Sequence, residues 1–335
     1  MREAMFYEKK EQELVCCRLC PKLCTIREGR KGFCRVRQNR GGTLYPINYG
    51  QVSSYGLDPI EKKPLYHFYP GSTIFSIGTF GCNLRCGFCQ NWQIAHGDPS
   101  TTEVTPRQVV DLARRQEGRE GSNVGIAYTY NEPFIWYEFV LDTAQQAREA
   151  GLKNVLVTNG YVNETPLRQI LPYIDAMNID VKGFTDDYYR EKCAGHLEPV
   201  LRTVEIAHRE CHVELTTLLV TGLNDSPEEV TRLADWVASL DPEIPLHVSR
   251  YFPQFELELQ PTPLDTLKQA YEIARKRLSY VYIGNTSQVG GSNTVCPRCG
   301  ATVIGRTGYS ITTTGLDGQR CLQCGQSIRI AGEVR

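Results

Sequence analysis

Between residues 72 and 285 one unit recurs at least six times: a short β-branched run, a turn, and a segment opened by a hydroxyl residue and proline. The runs are TIFSIGTF (73–80), VGIAYTY (124–130), KNVLVTNG (153–160), IDAMNIDVK (174–182), HVELTTLLV (212–220) and PLHVSRYF (245–252). YVYIG (280–284) is a further candidate. Several are apolar almost throughout, as strands buried on both faces are. Thr105-Pro106, Thr165-Pro166, Ser226-Pro227 and Thr262-Pro263 each offer an N-cap hydroxyl followed by proline at the first helical position. Ser226 with Glu229 predicts a capping box. Strand then capped helix predicts an α/β fold with a parallel sheet and right-handed crossovers. The pattern is compatible with both a doubly wound open sheet and a curled partial barrel. In either, ligand-binding groups gather at the C-terminal ends of the strands.

The flanks are of another kind. The chain has 335 residues with near-balanced charge, 37 Lys and Arg against 38 Asp and Glu. That balance gives no whole-molecule attraction to nucleic acid or to an anionic membrane. No run approaches the ~18 apolar residues of a membrane span, and MREAMFYEKKEQELV lacks the apolar stretch of a signal peptide. The expectation is a cytoplasmic chain without membrane partners. Of 14 cysteines, 12 fall into three tight clusters, and such spacing in a reducing compartment points to metal rather than disulfides. Three zones follow: a Cys-rich basic module with a β-hairpin lead-in (1–71), the β/α region (72–285), and a linker with a second Cys module (286–335).

The first run leads straight into GCNLRCGFCQNW, where Cys82, Cys86 and Cys89 have C-x3-C-x2-C spacing. Structural zinc takes four ligands and a 4Fe–4S cluster usually takes four cysteines, so three thiolates leave one iron open. This motif, with Phe88 before the last cysteine, resembles the signature of the radical S-adenosylmethionine (SAM) superfamily. The resemblance implies a partial (β/α)6-type TIM barrel, a 4Fe–4S cluster on Cys82, Cys86 and Cys89, and SAM bound through its amino and carboxylate groups at the open iron. It further implies reductive cleavage of SAM to methionine and a 5′-deoxyadenosyl radical.

The other strand ends follow the same resemblance. YTYNEP (128–133) sits where the superfamily carries a G-G-E-P-like turn, with Tyr130 and Asn131 at the glycine positions and Glu132 facing the methionine ammonium. VTNG carries Thr158 and Asn159, similar to the acid-T-N-G of glycyl-radical activases. NIDVK places Asp180 and Lys182 on one face of a strand, similar to the activase D-x-K whose lysine neutralises the methionine carboxylate. His247, in HVSRYFP, corresponds to a histidine that contacts the cofactor in several activases.

At the C-terminus CPRCG and CLQCG pair Cys296 and Cys299 with Cys321 and Cys324, which predicts a zinc ribbon; an iron site of the rubredoxin kind uses the same knuckle. At the N-terminus Cys17, Cys20, Cys24 and Cys34 predict zinc or an accessory iron–sulfur cluster, with Cys16 left over. Eight Lys or Arg stand against one acid between Cys16 and Arg40, which leaves an acidic protein or RNA open as a partner. Cys193 and Cys211 stand alone and read as packing residues, Cys193 being the better placed for substrate chemistry.

The C-x-L-C-P-x-x-C front end, DPIEKKPLYHF, the triad, YTYNEP and the double knuckle together resemble the radical SAM enzymes of the AmmeMemoRadiSam system, which are similar to pyruvate formate-lyase activating enzyme. That resemblance implies an oxidoreductase acting on a protein or peptide, with Memo-type or AMMECR-type proteins as neighbours and a flavodoxin or ferredoxin as electron donor. Radical modification of RNA or a small molecule is the alternative. A non-catalytic metal-binding adaptor is a third reading.

Overall fold

The structure is a computed structural model describing residues 2–116 and 123–335. Its centre is one eight-stranded sheet of β1 (Ser54–Pro59), β2 (Thr73–Gly78), β3 (Asn123–Tyr128), β4 (Lys153–Thr158), β5 (Ala176–Asp180), β6 (His212–Leu219), β7 (Leu246–Arg250) and β8 (Val281–Gly284). The spatial order is the sequence order. Strands β2 to β8 run parallel and β1 pairs antiparallel with β2. One longer helix follows each of β2 to β7: α1 (Pro106–Arg115), α2 (Tyr137–Glu149), α3 (Glu164–Ile170), α4 (Glu198–Ala207), α5 (Pro227–Leu240) and α6 (Leu264–Arg275), with short helical turns at Trp92–Ala95 and Asp186–Tyr188 besides. A sheet whose order never reverses is wound in one direction only, whereas a doubly wound sheet needs a reversal point. The fold is therefore the partial β/α barrel, with β1 and β8 as its ends. YVYIG is its last parallel strand.

The expected lead-in hairpin divides. Arg37–Arg40 pairs with Thr43–Pro46, while Gln51–Val52 pairs with Thr102–Glu103. Ser54–Pro59 then leaves to cover the outer edge of β2, whose backbone groups would otherwise be unpaired. The caps divide too. Thr105 makes a full capping box with Gln108. Ser226 accepts from Glu229 N–H, but the Glu229 carboxylate instead accepts from Phe184 N at 2.6 Å, so that box is half made. Thr165 and Pro166 lie inside the first turn of α3, whose N-cap is Asn163. The Thr262 hydroxyl donates to Leu219 O and accepts from Tyr251 N, leaving Pro263 at the cap.

One end of the barrel is closed. The segment leading into β2 is pinned by Glu214, which accepts from Tyr66 N at 2.9 Å and His67 N at 2.7 Å and also meets His212 and His247. The C-terminal module fastens onto the same segment through Tyr69 N to Ala331 O and Ala331 N to His67 O. Arg306, its side chain fully buried, donates to Tyr66 O and stacks 4.1 Å from the Tyr66 ring. The opposite end, where β2 to β7 finish, carries the cysteine loop.

Candidate active site

The loop after β2 is held by backbone contacts from several strand ends. Asn131, after β3, accepts from Thr79 N and donates to Gly81 O. Asn83 donates to Tyr161 O at 2.6 Å after β4. Cys193 O and Lys192 O, after β5, accept from Arg85 N and Gly87 N. Glu256 N, after β7, donates to Gly87 O. A loop fixed at this many points presents its thiols in one arrangement, which is what cluster binding requires.

The charges converge on the same loop. Cys86 is buried, with Cys82 and Cys89 partly so. Burial pushes the Cys89 thiol up to about 11 and Cys82 well above its ordinary value. Cys86 is pushed up by its hydrogen bond with Cys193, then by burial. Ionising these thiols here is costly without a metal centre to take the charge. Leu84 N and the Asn159 amide both point at Cys82 Sγ, at 3.4 and 3.7 Å. Lys182 is ion-paired with Asp180 at 2.9 Å. Burial opposes its charge, but Asp180 and Cys86 outweigh that and hold its pKa well above the lysine value.

Glu132 completes the site. Its Oε1 accepts from Phe134 N at 2.9 Å and Thr158 Oγ1 at 2.7 Å, and its Oε2 from Asn159 N at 2.8 Å. Burial pushes this carboxyl up to about 7, although those donors and Lys182 pull it down. Cys82, Glu132, Thr158 and Asn159 thus form one network, with Asp180 and Lys182 beside Cys86 and Cys89.

Other sequence candidates are placed differently. Tyr130 adopts φ of +71°, a left-handed conformation glycine takes freely and tyrosine does not. Its hydroxyl turns away to Asp58 Oδ2 at 2.9 Å, so the backbone, not the ring, follows the glycine-like turn. Phe88 is buried and packs against Tyr188. His247 is drawn into the Glu214 network, Nε2 to Oε2 at 2.7 Å, between the Tyr66 and Tyr282 rings; the structure does not bring it to the cysteine loop. Asn83 was not legible as a site residue, and Cys193 read chiefly as packing. Cys193 reaches Cys86 only because the turn after β5 folds over the loop, which no local spacing encodes.

The three thiols fit an iron–sulfur cluster. A zinc ion with bonds of about 2.3 Å holds tetrahedral sulfurs about 3.8 Å apart. Among the described residues, the tetrad Cys296, Cys299, Cys321 and Cys324 is the one cysteine group with all ligand atoms within 4.8 Å. The three sulfurs of the triad do not all meet that spacing, so they are not gathered around one zinc-sized point. Beside it the buried Tyr188 hydroxyl has no hydrogen-bond partner among the described residues, a polar atom suited to a bound polar molecule. A cavity of about 480 Å³ at the β1 edge, lined by Ser54, Tyr55, Asn91 and Tyr130, opens next to the loop.

Comparison with known proteins agrees with this geometry. Residues 76–237 match the Radical SAM superfamily. The chain belongs to that superfamily. It is 45% identical over 339 residues to an uncharacterized protein of Methanocaldococcus jannaschii, covering 98% of this chain and 99% of that one. It is 27% identical to the pyruvate formate-lyase-activating enzyme of Clostridium pasteurianum, over 48% of this chain and 67% of that enzyme. The fold is similar to Streptococcus suis SuiB bound to S-adenosylmethionine, with a TM-score of 0.52 and 12% identity over 68% of this chain and 54% of SuiB. This protein is a radical SAM enzyme by family, with activating-enzyme relatives. Among the described residues, no helix is long and apolar enough to cross a membrane.

Proposed function

We propose that this protein cleaves SAM reductively at a 4Fe–4S cluster on Cys82, Cys86 and Cys89 and abstracts hydrogen from a protein or peptide. The carrying observation is the meeting of three thiols with Glu132 and the Asp180–Lys182 pair at one barrel end. When bound, the cluster supplies one electron that breaks a carbon–sulfur bond of SAM and frees a 5′-deoxyadenosyl radical. The chain's residues prepare the site. Glu132 offers a carboxylate to the methionine ammonium, and Lys182 offers an ammonium to its carboxylate. Asn159 directs its amide at the Cys82 sulfur, and the turns carrying Cys193 and Glu256 fix the loop through backbone hydrogen bonds. Asn224 steadies Lys182 by donating to its carbonyl at 2.7 Å.

A protein or peptide substrate is supported by the activating-enzyme relatives and by SuiB, a fold neighbour also solved with the precursor peptide SuiA. The open cavity at the β1 edge suits an extended segment. An RNA substrate has less support, because half of the basic front end is paired within the chain. Arg18 pairs with Glu8, Arg35 with Asp98, Arg37 with Glu138, and Lys22 donates to Ala194 O. We further assign zinc to the C-terminal tetrad, where Cys296 and Cys324 sulfurs lie 3.5 Å apart and Cys299 and Cys321 3.7 Å. There Gly300 and Gly325, both at positive φ, close the knuckle turns. A cytoplasmic location, with a flavodoxin or ferredoxin as electron source, accompanies this reading. The test is anaerobic reconstitution with dithionite and SAM: 5′-deoxyadenosine forms with the wild type and not with Cys82→Ala. Equal yields from both would refute it.

A further inference from the structure

We propose that Cys17, Cys20, Cys24 and Cys34 hold a second iron–sulfur cluster rather than zinc, one with four cysteine ligands and no open iron. Four observations carry this.

The first is spacing. Structural zinc sites are built from two close pairs, as at the C-terminus, whereas these cysteines run C-x2-C-x3-C-x9-C. Three close thiols with a distant fourth is an arrangement of iron–sulfur proteins. The second is geometry. All four cysteines line one pocket and are unpaired thiols. No three of their sulfurs come within the 4.8 Å reached by the C-terminal tetrad. They are wider apart than one zinc ion holds its ligands, as the triad is.

The third is the pocket wall. Leu19, Ile26 and Ile135 supply apolar surface that keeps water from sulfide. Phe33 N donates to Cys24 Sγ at 3.4 Å. Arg37, 1% exposed, brings Nη1 to 4.0 Å from Cys17 Sγ. Its Nε has no partner among the described residues, so a buried donor remains beside the thiols for a negatively charged group. The fourth is position. A Cβ built on Gly81 would stand 2.5 Å from Cys34 O, so the peptide before Cys82 touches the peptide of a ligand in the other set. Structural zinc gains nothing from that adjacency. A redox centre does.

The inference stands apart from the proposed SAM chemistry, and one experiment separates them. Full-length protein is reconstituted anaerobically with iron and sulfide, and its iron, sulfide and zinc are counted. The Cys82→Ala, Cys86→Ala, Cys89→Ala triple variant is expected to keep roughly four iron and one zinc per chain, against roughly eight iron in the wild type. Its dithionite-reduced EPR signal should not change on adding SAM. A triple variant with no iron and two zinc overturns the proposal. If that variant precipitates, the wild type decides. Two reduced-cluster signals, of which SAM shifts one, support the inference; a single signal with two zinc per chain overturns it. Two signals that both ignore SAM sink the radical reading while still supporting the second cluster.

Discussion

Glu132→Gln separates the charge of this buried carboxyl from its shape. Gln keeps an oxygen for Phe134 N and Thr158 Oγ1, but its amide then faces Asn159 N–H, which now donates to Oε2 at 2.8 Å. One hydrogen bond to a charged group is lost, about 1.5–3 kcal/mol. The pairing with the methionine ammonium is lost with it, so SAM affinity at pH 8 should fall roughly 10- to 100-fold. The wild-type carboxyl, pushed up to about 7 by burial, is ionised in about a tenth of molecules at pH 6 and about nine tenths at pH 8. Wild-type affinity should therefore rise roughly tenfold across that interval, while Glu132→Gln stays flat. Stability carries the opposite sign. A carboxyl whose folded pKa is raised stabilises the fold below pH 4.5 and loses that contribution as pH rises toward 7, about 3 kcal/mol in cluster-free protein. The variant, having no proton to lose, should become less unfavourable relative to wild type between pH 5 and pH 8. Calorimetric SAM titrations and denaturant melts at both pH values read the two effects. A wild-type affinity independent of pH, or a variant that keeps the wild-type slope, refutes the reasoning.

Removing the Cys193 thiol beside Cys86 should leave iron content unchanged in Cys193→Ala and lower the reduction potential of the SAM-responsive cluster, because a donor to a ligand sulfur favours the reduced state; an unchanged potential in a redox titration contradicts this. Gly81→Ala places a Cβ at φ +90° and 2.5 Å from Cys34 O, which should cost about 1–3 kcal/mol in a urea melt and reduce iron retention; a melt identical to wild type contradicts it. Glu214→Ala strands two buried peptide donors and the imidazoles of His212 and His247. It should destabilise by about 3–5 kcal/mol, and an unmoved melting temperature would show that Glu214 does not pin the barrel floor.

The alternation of strand and helix was legible because its signals are local, whereas the choice of barrel over open sheet came from the family resemblance and the strand order. Each buried strand announces itself by composition, and Thr105 and Ser226 cap helices from their own side chains. Thr165 and Thr262 show where locality ends: Thr262 is claimed by the backbones of Leu219 and Tyr251, partners more than ten residues away in sequence. The site divides the same way. Cys82, Cys86 and Cys89 share one loop, and Glu132, Thr158, Asn159, Asp180 and Lys182 lie at strand ends that the fold must bring together. His247 also lies on a strand, but Glu214 on the neighbouring strand takes its imidazole, and sequence position cannot state that competition. Cys193 and Asn83 gain meaning only from turns packing over the loop. The spread of the N-terminal sulfurs is likewise a property of the folded pocket, and the sequence left zinc and an accessory cluster both open there.

The most direct measurement is EPR-detected hyperfine coupling on the reduced protein with SAM labelled at its amino nitrogen and carboxylate oxygen. Coupling of both labels to the cluster held by Cys82, Cys86 and Cys89 is the expected result, since three thiolates leave one iron to take them. A fully formed cluster that shows no coupling to either label would contradict the account at its root.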